Sequence, residues 1–428
     1  KKRKIMTRKH KRTSWTAMFS FAATIAFALA FSALAPEPAF AAMRSEIRTG
    51  LSDAQKLAQA TPPDFAAALA KAKEVDAAIT DKNAEEEYNV AKFIGYVAIS
   101  LEDYKAAQDA YNRAMTSGGI PEAEQVGVYN AALLLNFQNQ DYAKAVTAGT
   151  ELQKLGPLDD KSLVVYSQAY YFSNDFAGSE RVAKAGVDQI TAAGQKPSED
   201  LLVTLMNAQK DGNNSAAALA TQEQITSLYP TAENWNRLVD RAIDASATSD
   251  VKDPLVRDHR IITLYRLRLQ AGDMKADDYA AMGSLLLSAG LPGEAKAVLN
   301  KGVTAGTITR SGNTGQLLAR AEKEAGPDEK SLPGLAKIAA GQKNGEIDVK
   351  LGESYWSYGN TAEAEAAIQR GISKGGLKDP GEALITLGLV QLSAGKKDAA
   401  VQSFEQAAAK PANAAAARAW AAYAKAQA

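Results

Sequence analysis

The side chains whose types and spacing suit chemistry fall in a few places. His259 stands in the run Arg257-Asp258-His259-Arg260, with Arg266 and Arg268 further along the same expected helix. Clustered cations of this kind suit an anion or an acidic partner. At 100° per residue, however, Arg257 and Arg260 share a face while Arg266 and Arg268 point elsewhere, so the run reads as a solvated helix face beside a loop. Neighbouring acids occur at Glu85, Glu86 and Glu87 and at Asp240 and Asp244. Paired carboxylates can act as general acid and base, but a run of acids in a helix is ordinarily a solvated face. The segment Ile372-Ser373-Lys374-Gly375-Gly376 lacks the spacing of a phosphate loop and falls where a helix C-cap is expected.

Composition narrows the chemistry further. The 428 residues include no cysteine and two histidines, and His10 lies in the basic N-terminal run, so His259 alone serves the rest of the chain. Disulfides, thiolate metal sites, a cysteine nucleophile and a lipidated cysteine are excluded, a Ser-His-Asp triad would have to use His259, and zinc would lack its commonest ligands. The sequence carries no phosphate-loop, dinucleotide-fingerprint, zincin or EF-hand motif. The expectation is a protein that is not an enzyme and uses neither cofactor nor metal.

The 49 basic and 49 acidic side chains cancel, yet they are unevenly placed. Residues 1–41 hold eight basic residues and one acid, Glu37, which leaves 41 basic against 48 acidic side chains in 42–428. Nucleic acid is a poor partner for such an acidic body. The basic run, the uncharged stretch 16–35, Pro36, Pro38 and the triplet Ala39-Phe40-Ala41 follow the order of an export signal cleaved after Ala41. The other reading is an uncleaved inner-membrane anchor, since about 20 apolar residues span a bilayer. Either way the body is expected to be periplasmic or secreted, without membrane contact beyond this segment.

Along the body, Gly118, Gly156, Gly194, Gly272, Gly306 and Gly375 close apolar helical stretches at separations of one or two units of roughly 34–39 residues. Small residues recur in register within each unit. Leu387-Gly388, Gly395, Ala400 and Phe404 align with Leu351-Gly352, Gly359, Ala364 and Ile368, and with Met282-Gly283, Gly290, Ala295 and Leu299. Upstream the same frame fits Ile94-Gly95, Tyr104, Ala107 and Tyr111, and Asp103-Tyr104, Asp141-Tyr142 and Asp175-Phe176 mark turns. Glycine or alanine in the first helix and alanine in the second let the two helices of a hairpin approach closely, while Tyr111, Leu299, Ile368 and Phe404 fill the space towards the next hairpin.

These residues resemble the tetratricopeptide repeat, and Trp235-x2-Leu238, Leu351-Gly352-x2-Tyr355 and Ala400-x3-Phe404 are its best-matched pieces. The resemblance implies an all-α, right-handed solenoid of stacked helix-turn-helix hairpins. The expected organisation is N-terminal helices in 42–87 (about 44–58 and 64–80), a first solenoid block over 88–306, a degenerate repeat or joint over 307–344, a second block over 345–411 and a capping helix in 412–428. Glycines and prolines divide 307–344 into expected short helices near 316–324 and 332–340, and the stretch 245–257 lengthens the turn of the fifth repeat.

In that family the first helix of each repeat lines a concave face that holds peptides. Carried over, the face comprises Lys92, Tyr96, Asn130, Phe137, Gln168, Tyr171, Met206, Asp240, Glu353 and Trp356. The Lys/Asn/Arg set that clamps a terminal carboxylate in chaperone-binding members is not matched, since Tyr96 takes the Asn place and Ala131 another. The resemblance thus implies a non-enzymatic scaffold or adaptor with protein partners in the bacterial cell envelope, holding a peptide segment or helix. Two alternatives are an envelope enzyme using Glu322, Glu324, Asp328 and Glu329 within 307–344, and a self-assembling structural protein; the sequence leaves the oligomeric state open.

Overall fold

The computed structural model describes residues 43–247 and 253–427, and among them it contains twenty α-helices and no strand. The export segment and residues 248–252 of the lengthened turn lie outside the described residues. No described helix is long and apolar enough to cross a membrane. The chain divides into two compact units at Ser173/Asn174, not across the joint expected at 307–344.

The first unit contains α1 (Ser45–Ala58), α2 (Phe65–Ala78), α3 (Ala84–Ser100), α4 (Tyr104–Thr116), α5 (Glu122–Gln138), α6 (Tyr142–Lys154) and α7 (Asp160–Phe172). Five of the seven starts are fixed by short polar side chains that satisfy orphan backbone donors: Asp64, Asp103, Asp141 and Asp159 each accept from the third residue on, and Asn83 forms a reciprocal capping box with Glu86. Helix α4 buries Ala107, Ala110, Tyr111 and Ala114, a stripe at helical spacing. Ile47, Leu51 and Ala54 of α1 pack with Ala72 and Val75 of α2 and with Val90, Phe93 and Val97 of α3. Arg44 ties the chain entering α1 to α3, its Nε and Nη2 donating to the buried Glu86 carboxylate at 3.0 and 2.8 Å.

The second unit contains α8 (Phe176–Ala192), α9 (Glu199–Asp211), α10 (Ser215–Leu228), α11 (Ala232–Ala247), α12 (Pro254–Ala271), α13 (Ala276–Ser288), α14 (Pro292–Thr304), α15 (Gly312–Gly341), α16 (Glu346–Ser357), α17 (Thr361–Lys374), α18 (Pro380–Ser393), α19 (Lys397–Ala408) and α20 (Ala414–Ala426). Hairpins α9/α10, α13/α14, α16/α17 and α18/α19 reproduce the repeat read from the sequence.

The aligned glycines explain why the register is kept. A Cβ on Gly95 would lie 2.7 Å from the ring of Tyr111, on Gly283 3.0 Å from Leu299, on Gly352 2.4 Å from Ile368 and on Gly388 2.5 Å from Phe404. In every pair the partner follows the glycine by sixteen positions, the offset between facing turns of one hairpin. The large side chains therefore close on their own hairpin as well as reaching the next: Ile368 clusters with Leu387 and Val390, and Phe404 stacks on Trp420 at 6.0 Å. Gly290, Gly359 and Gly395 share a second role, with φ of +77°, +82° and +75° at the turn before the second helix. Gly272, expected as a left-handed cap, has φ −111°; it is small because Asn236 Oδ1 lies 2.1 Å from where a Cβ would sit.

A first prediction rests on this close approach. Gly388→Ala gains about 1 kcal/mol of helix propensity, while forcing a methyl against the fully buried Phe404 costs up to about 3 kcal/mol. A net loss of about 2 kcal/mol is expected in urea denaturation. A variant as stable as the parent would show that the close approach does not govern this hairpin.

Across 307–344 the expected two short helices are one, α15, which runs through Pro327 and Pro333. Its buried residues Leu318, Ala325, Leu332 and Ala339 recur every seven positions, one stripe continuous through both prolines. The front half packs with α13 and α14 through Leu318 and Ala321, and the back half with Leu351 and Ala367 of α16 and α17. Packing along the whole length offsets the hydrogen bonds that the prolines remove.

The second unit then closes on itself. Helix α20 packs on α10, α11 and α12, and α18 packs on α12. Trp235, Leu238 and Val239 of α11 and Leu264 and Leu267 of α12 share one core with Ile385, Leu389, Phe404 and Trp420. Polar links join the same elements: Trp420 Nε1 donates to Thr263 O at 3.1 Å, and Arg418 donates twice to Glu223, at 2.7 and 2.9 Å. Thus 412–428 does cap the last hairpin, but it also fastens that end to α10–α12.

Candidate functional site

In the first unit the first helices α3, α5 and α7 carry side chains that reach from one repeat to the next. Tyr88 Oη donates to Glu124 Oε2 at 2.7 Å, and Lys92 is ion-paired to the same carboxylate while lying 5.5 Å from the Tyr88 ring centroid. Partial burial opposes ionisation of Glu124, but Lys92 and Tyr88 outweigh it and hold the carboxyl below its usual range. Asn130 of α5 accepts from Ser162 Oγ of α7 at 3.1 Å. Tyr96 is half-buried against the α1–α3 core. Phe137 lies 5.7 Å from Tyr142 and 6.0 Å from Phe172, and Tyr171 meets Phe172 edge-on at 5.5 Å. Tyr96, Asn130, Phe137 and Tyr171 are all partly exposed, and Phe172 is 36% exposed. Gln168 is instead 2% exposed and offers no surface to a peptide.

In the second unit the expected positions do not form an open groove. Met206 is buried. Asp240 is exposed but ion-paired to Arg268. Trp356 donates from Nε1 to Ser393 Oγ at 3.0 Å and carries the Arg266 guanidinium 4.8 Å from its ring centroid. Glu353 is 4% exposed. The closure of α18 and α20 onto α12 explains this, because first-helix positions of the late repeats face packed structure.

Three of the four arginines of α12 are likewise not on a solvated face, and Arg257 alone is partly exposed. Arg260, Arg266 and Arg268 are all buried. Arg260 donates from Nε and Nη2 to Asp379 at 2.9 and 2.7 Å, and Arg266 engages Glu294 bidentately at 2.8 and 2.7 Å. Arg268 reaches Asp278 at 2.6 Å. Between α12, α16 and α18 lies a further set: His259 Nδ1 stands 3.6 Å and Arg266 Nη1 3.9 Å from Glu353 Oε1, and Thr263 donates its hydroxyl to Glu382. At those distances the Glu353 contacts are ion pairs without hydrogen bonds, so Glu353 Oε1 and Arg266 Nη1 stay buried and unsatisfied.

Burial disfavours charge on every member, and neighbours decide the outcome. For His259, burial is outweighed by Glu353 and then Glu382, which raise its pKa; for Glu353, burial is outweighed by His259 and then Arg266, which lower it. Glu382 lacks such compensation: burial, with Asp379 adding to it, pushes its carboxyl up to about 7 despite the Thr263 hydrogen bond and His259. A cavity of about 330 Å³ adjoins this set, lined by α12, the α13–α14 turn, α15, α16 and α18.

The acids of 307–344 do not converge. Glu322 pairs with Arg310 at 3.0 Å and Glu324 with Arg320 at 2.8 Å, Asp328 Oδ2 lies 2.7 Å from Tyr358 Oη, and Glu329 is exposed. Among the described residues no three His, Asp or Glu side chains are grouped to hold a metal ion.

Sequence reasoning missed Thr263, Arg266, Glu294 and Glu382 as partners. One signal was available: α18 is buried on nearly every side, so Glu382 sits in a helix that is apolar all round, where a lone acid needs a partner. Its partner Thr263 is 119 residues away in sequence, which no local pattern shows.

No family model matches the chain and no curated protein matches it. Among solved structures it is similar to a tetratricopeptide repeat protein from Parabacteroides merdae, at 12% identity and a TM-score of 0.32 over 65% of this chain and 100% of that one. It is similar to a chain of Naa15/Naa10 bound to HypK-THB, at 16% identity and a TM-score of 0.42, over 86% of this chain and 63% of that one. It is also similar to the TPR2AB domain of yeast Sti1 in complex with pHSP90, at 12% identity and a TM-score of 0.26, over 71% and 99%. The all-α class of stacked hairpins rests on the helix packing itself.

Proposed function

We propose that the protein is a non-enzymatic scaffold that binds protein partners in the cell envelope. In this reading residues 1–41 direct export, and the working surface is the first-helix face of the first unit, where Lys92, Tyr96, Asn130, Phe137 and Tyr171 hold a peptide segment or a partner helix. The observation that carries the proposal is the row of partly exposed aromatic and amide side chains on α3, α5 and α7, braced by ring contacts and by Ser162. A braced surface of this kind loses little freedom on binding, which favours capture of a flexible segment. Aromatic side chains supply large contact area at low entropic cost.

The test is cross-linking capture from envelope extracts with the parent chain and with Phe137→Ala/Tyr171→Ala. The double variant is expected to keep its helical circular dichroism and to recover the parent's partners at least tenfold less. Equal recovery by the two chains would remove the first unit's face from consideration.

A further inference from the structure

We infer that the segment received by the first unit is a basic amphipathic helix, laid in the groove between α3 and α5. The inference rests on the scaffold reading and names the chemistry of its partner.

Two first helices lie side by side to form the groove. Tyr88 and Lys92 of α3 both engage Glu124 of α5, which ties the helices together. On α3 the exposed and partly exposed residues Glu85, Asn89, Lys92, Tyr96 and Ile99 recur at steps of three or four, and on α5 Glu122, Val126, Asn130, Leu134 and Phe137 do the same. Each set is therefore one stripe along one helix face. From Glu85 to Ile99 the stripe runs about 21 Å, room for roughly four turns of a partner helix. Val126 is 57% exposed, and Tyr96, Ile99, Leu134 and Phe137 are partly exposed, so the floor offers apolar and aromatic surface on both sides. A floor of this kind takes the apolar side of an amphipathic helix.

Charge decides the sign of the partner. Residues 43–173 hold 12 basic and 18 acidic side chains, whereas 174–428 hold 29 and 30, so nearly all the acidic excess of the body belongs to the unit with the open face. Lys92, the one cation of the two stripes, is neutralised by Glu124. Glu85 and Glu122 begin the stripes at one end of the groove, and Glu102 stands just beyond α3 at the other. All three are exposed, and among the described residues no cation pairs with them. Acids at both ends of an apolar floor attract lysine or arginine and repel acidic segments. The faces of Tyr96 and Phe137 accept a cation as well.

The probe is a fluorescein-labelled peptide of about 18 residues, with leucine along one helical face and lysine over the rest, titrated into the full chain by fluorescence anisotropy. Two comparison peptides either replace every lysine by glutamate or scatter the leucines around the helix at unchanged charge. The lysine peptide is expected to occupy one site at least tenfold more tightly than either, and to weaken at least tenfold between about 0.05 and 0.5 M salt. Glu85→Lys/Glu102→Lys/Glu122→Lys changes only exposed positions; it should keep its helical circular dichroism and lower that affinity at least tenfold. Absence of saturable binding, equal binding of the glutamate or the scattered peptide, salt-independent binding, or unchanged affinity in the triple variant would each overturn the inference. Should that happen while Phe137→Ala/Tyr171→Ala still loses the parent's envelope partners, the scaffold reading stands and the basic helix alone is withdrawn.

Discussion

Trp420→Ala should lower the stability of the second unit by about 3–5 kcal/mol, the usual range for deleting a buried aromatic side chain. Trp420 is 2% exposed, stacks on Phe404 at 6.0 Å, meets Tyr423 edge-on at 5.6 Å and donates to Thr263 O. It thus packs on the last hairpin and α12 from the final helix, and its removal leaves a cavity and deletes one hydrogen bond to a carbonyl that the α12 ladder still satisfies. A loss of that size is a large fraction of the roughly 5–15 kcal/mol that holds an ordinary domain together. Trp420→Phe separates the two contributions: it keeps a ring in the core and deletes the N–H, so its cost should fall closer to about 1–2 kcal/mol. Urea denaturation of the two variants checks the ordering. A Trp420→Ala loss below about 1 kcal/mol would mean that the closure contributes little to the fold.

The second large effect concerns pH. Glu382 has a folded pKa raised from 4.5 to about 7. A raised folded pKa means that the native state holds the proton more tightly, so the stability associated with that proton is fully present below 4.5 and is lost as pH rises to about 7. The difference corresponds to about 3 kcal/mol. His259, also raised, acts with the same sign, its stability being lost as pH rises through its folded value. Glu353 acts oppositely: its lowered pKa contributes stability above 4.5 that is lost as pH falls through the folded value. The second unit should therefore be most stable near pH 5 and weaken towards pH 8. Glu382→Gln keeps an oxygen for Thr263 and removes the buried acid. It is expected to stabilise the unit by about 2–3 kcal/mol at pH 8 and to change little at pH 5. Thermal unfolding of parent and variant at the two pH values reads this directly, and a parallel pH response in both would assign the dependence elsewhere.

Much of the architecture is legible because it is local. The pairing of Gly95 with Tyr111 and of Gly388 with Phe404 is a contact within one hairpin, and the turn caps at Asp103, Asp141 and Asp175 act over three residues. Helix ends consequently fall within a few residues of those expected. Helix α15 was obscured by two prolines and several glycines, although its stripe at Leu318, Ala325, Leu332 and Ala339 was in plain view; tertiary packing overrode a local breaker signal. The closure was not legible at all. Trp420 meets Thr263 across 157 positions and Arg418 meets Glu223 across 195, and a repeat pattern records only neighbours. The closure decides the candidate site, because α18 and α20 lying against α12 bury Glu353 and Arg266 and hold Trp356, positions that the repeat pattern alone assigns to a groove and a solvated face.

The second unit is a closed set of helices, which confines an open binding face to the first unit. With no native cysteine, the chain can be spin-labelled at two introduced sites without background, and Glu223→Cys/Arg418→Cys brackets the closing contact. The surface pair lost in this variant contributes little stability. Strong dipolar broadening of the doubly labelled spectrum, absent from each singly labelled control, is the predicted result. A doubly labelled spectrum equal to the sum of the single ones would contradict the closure.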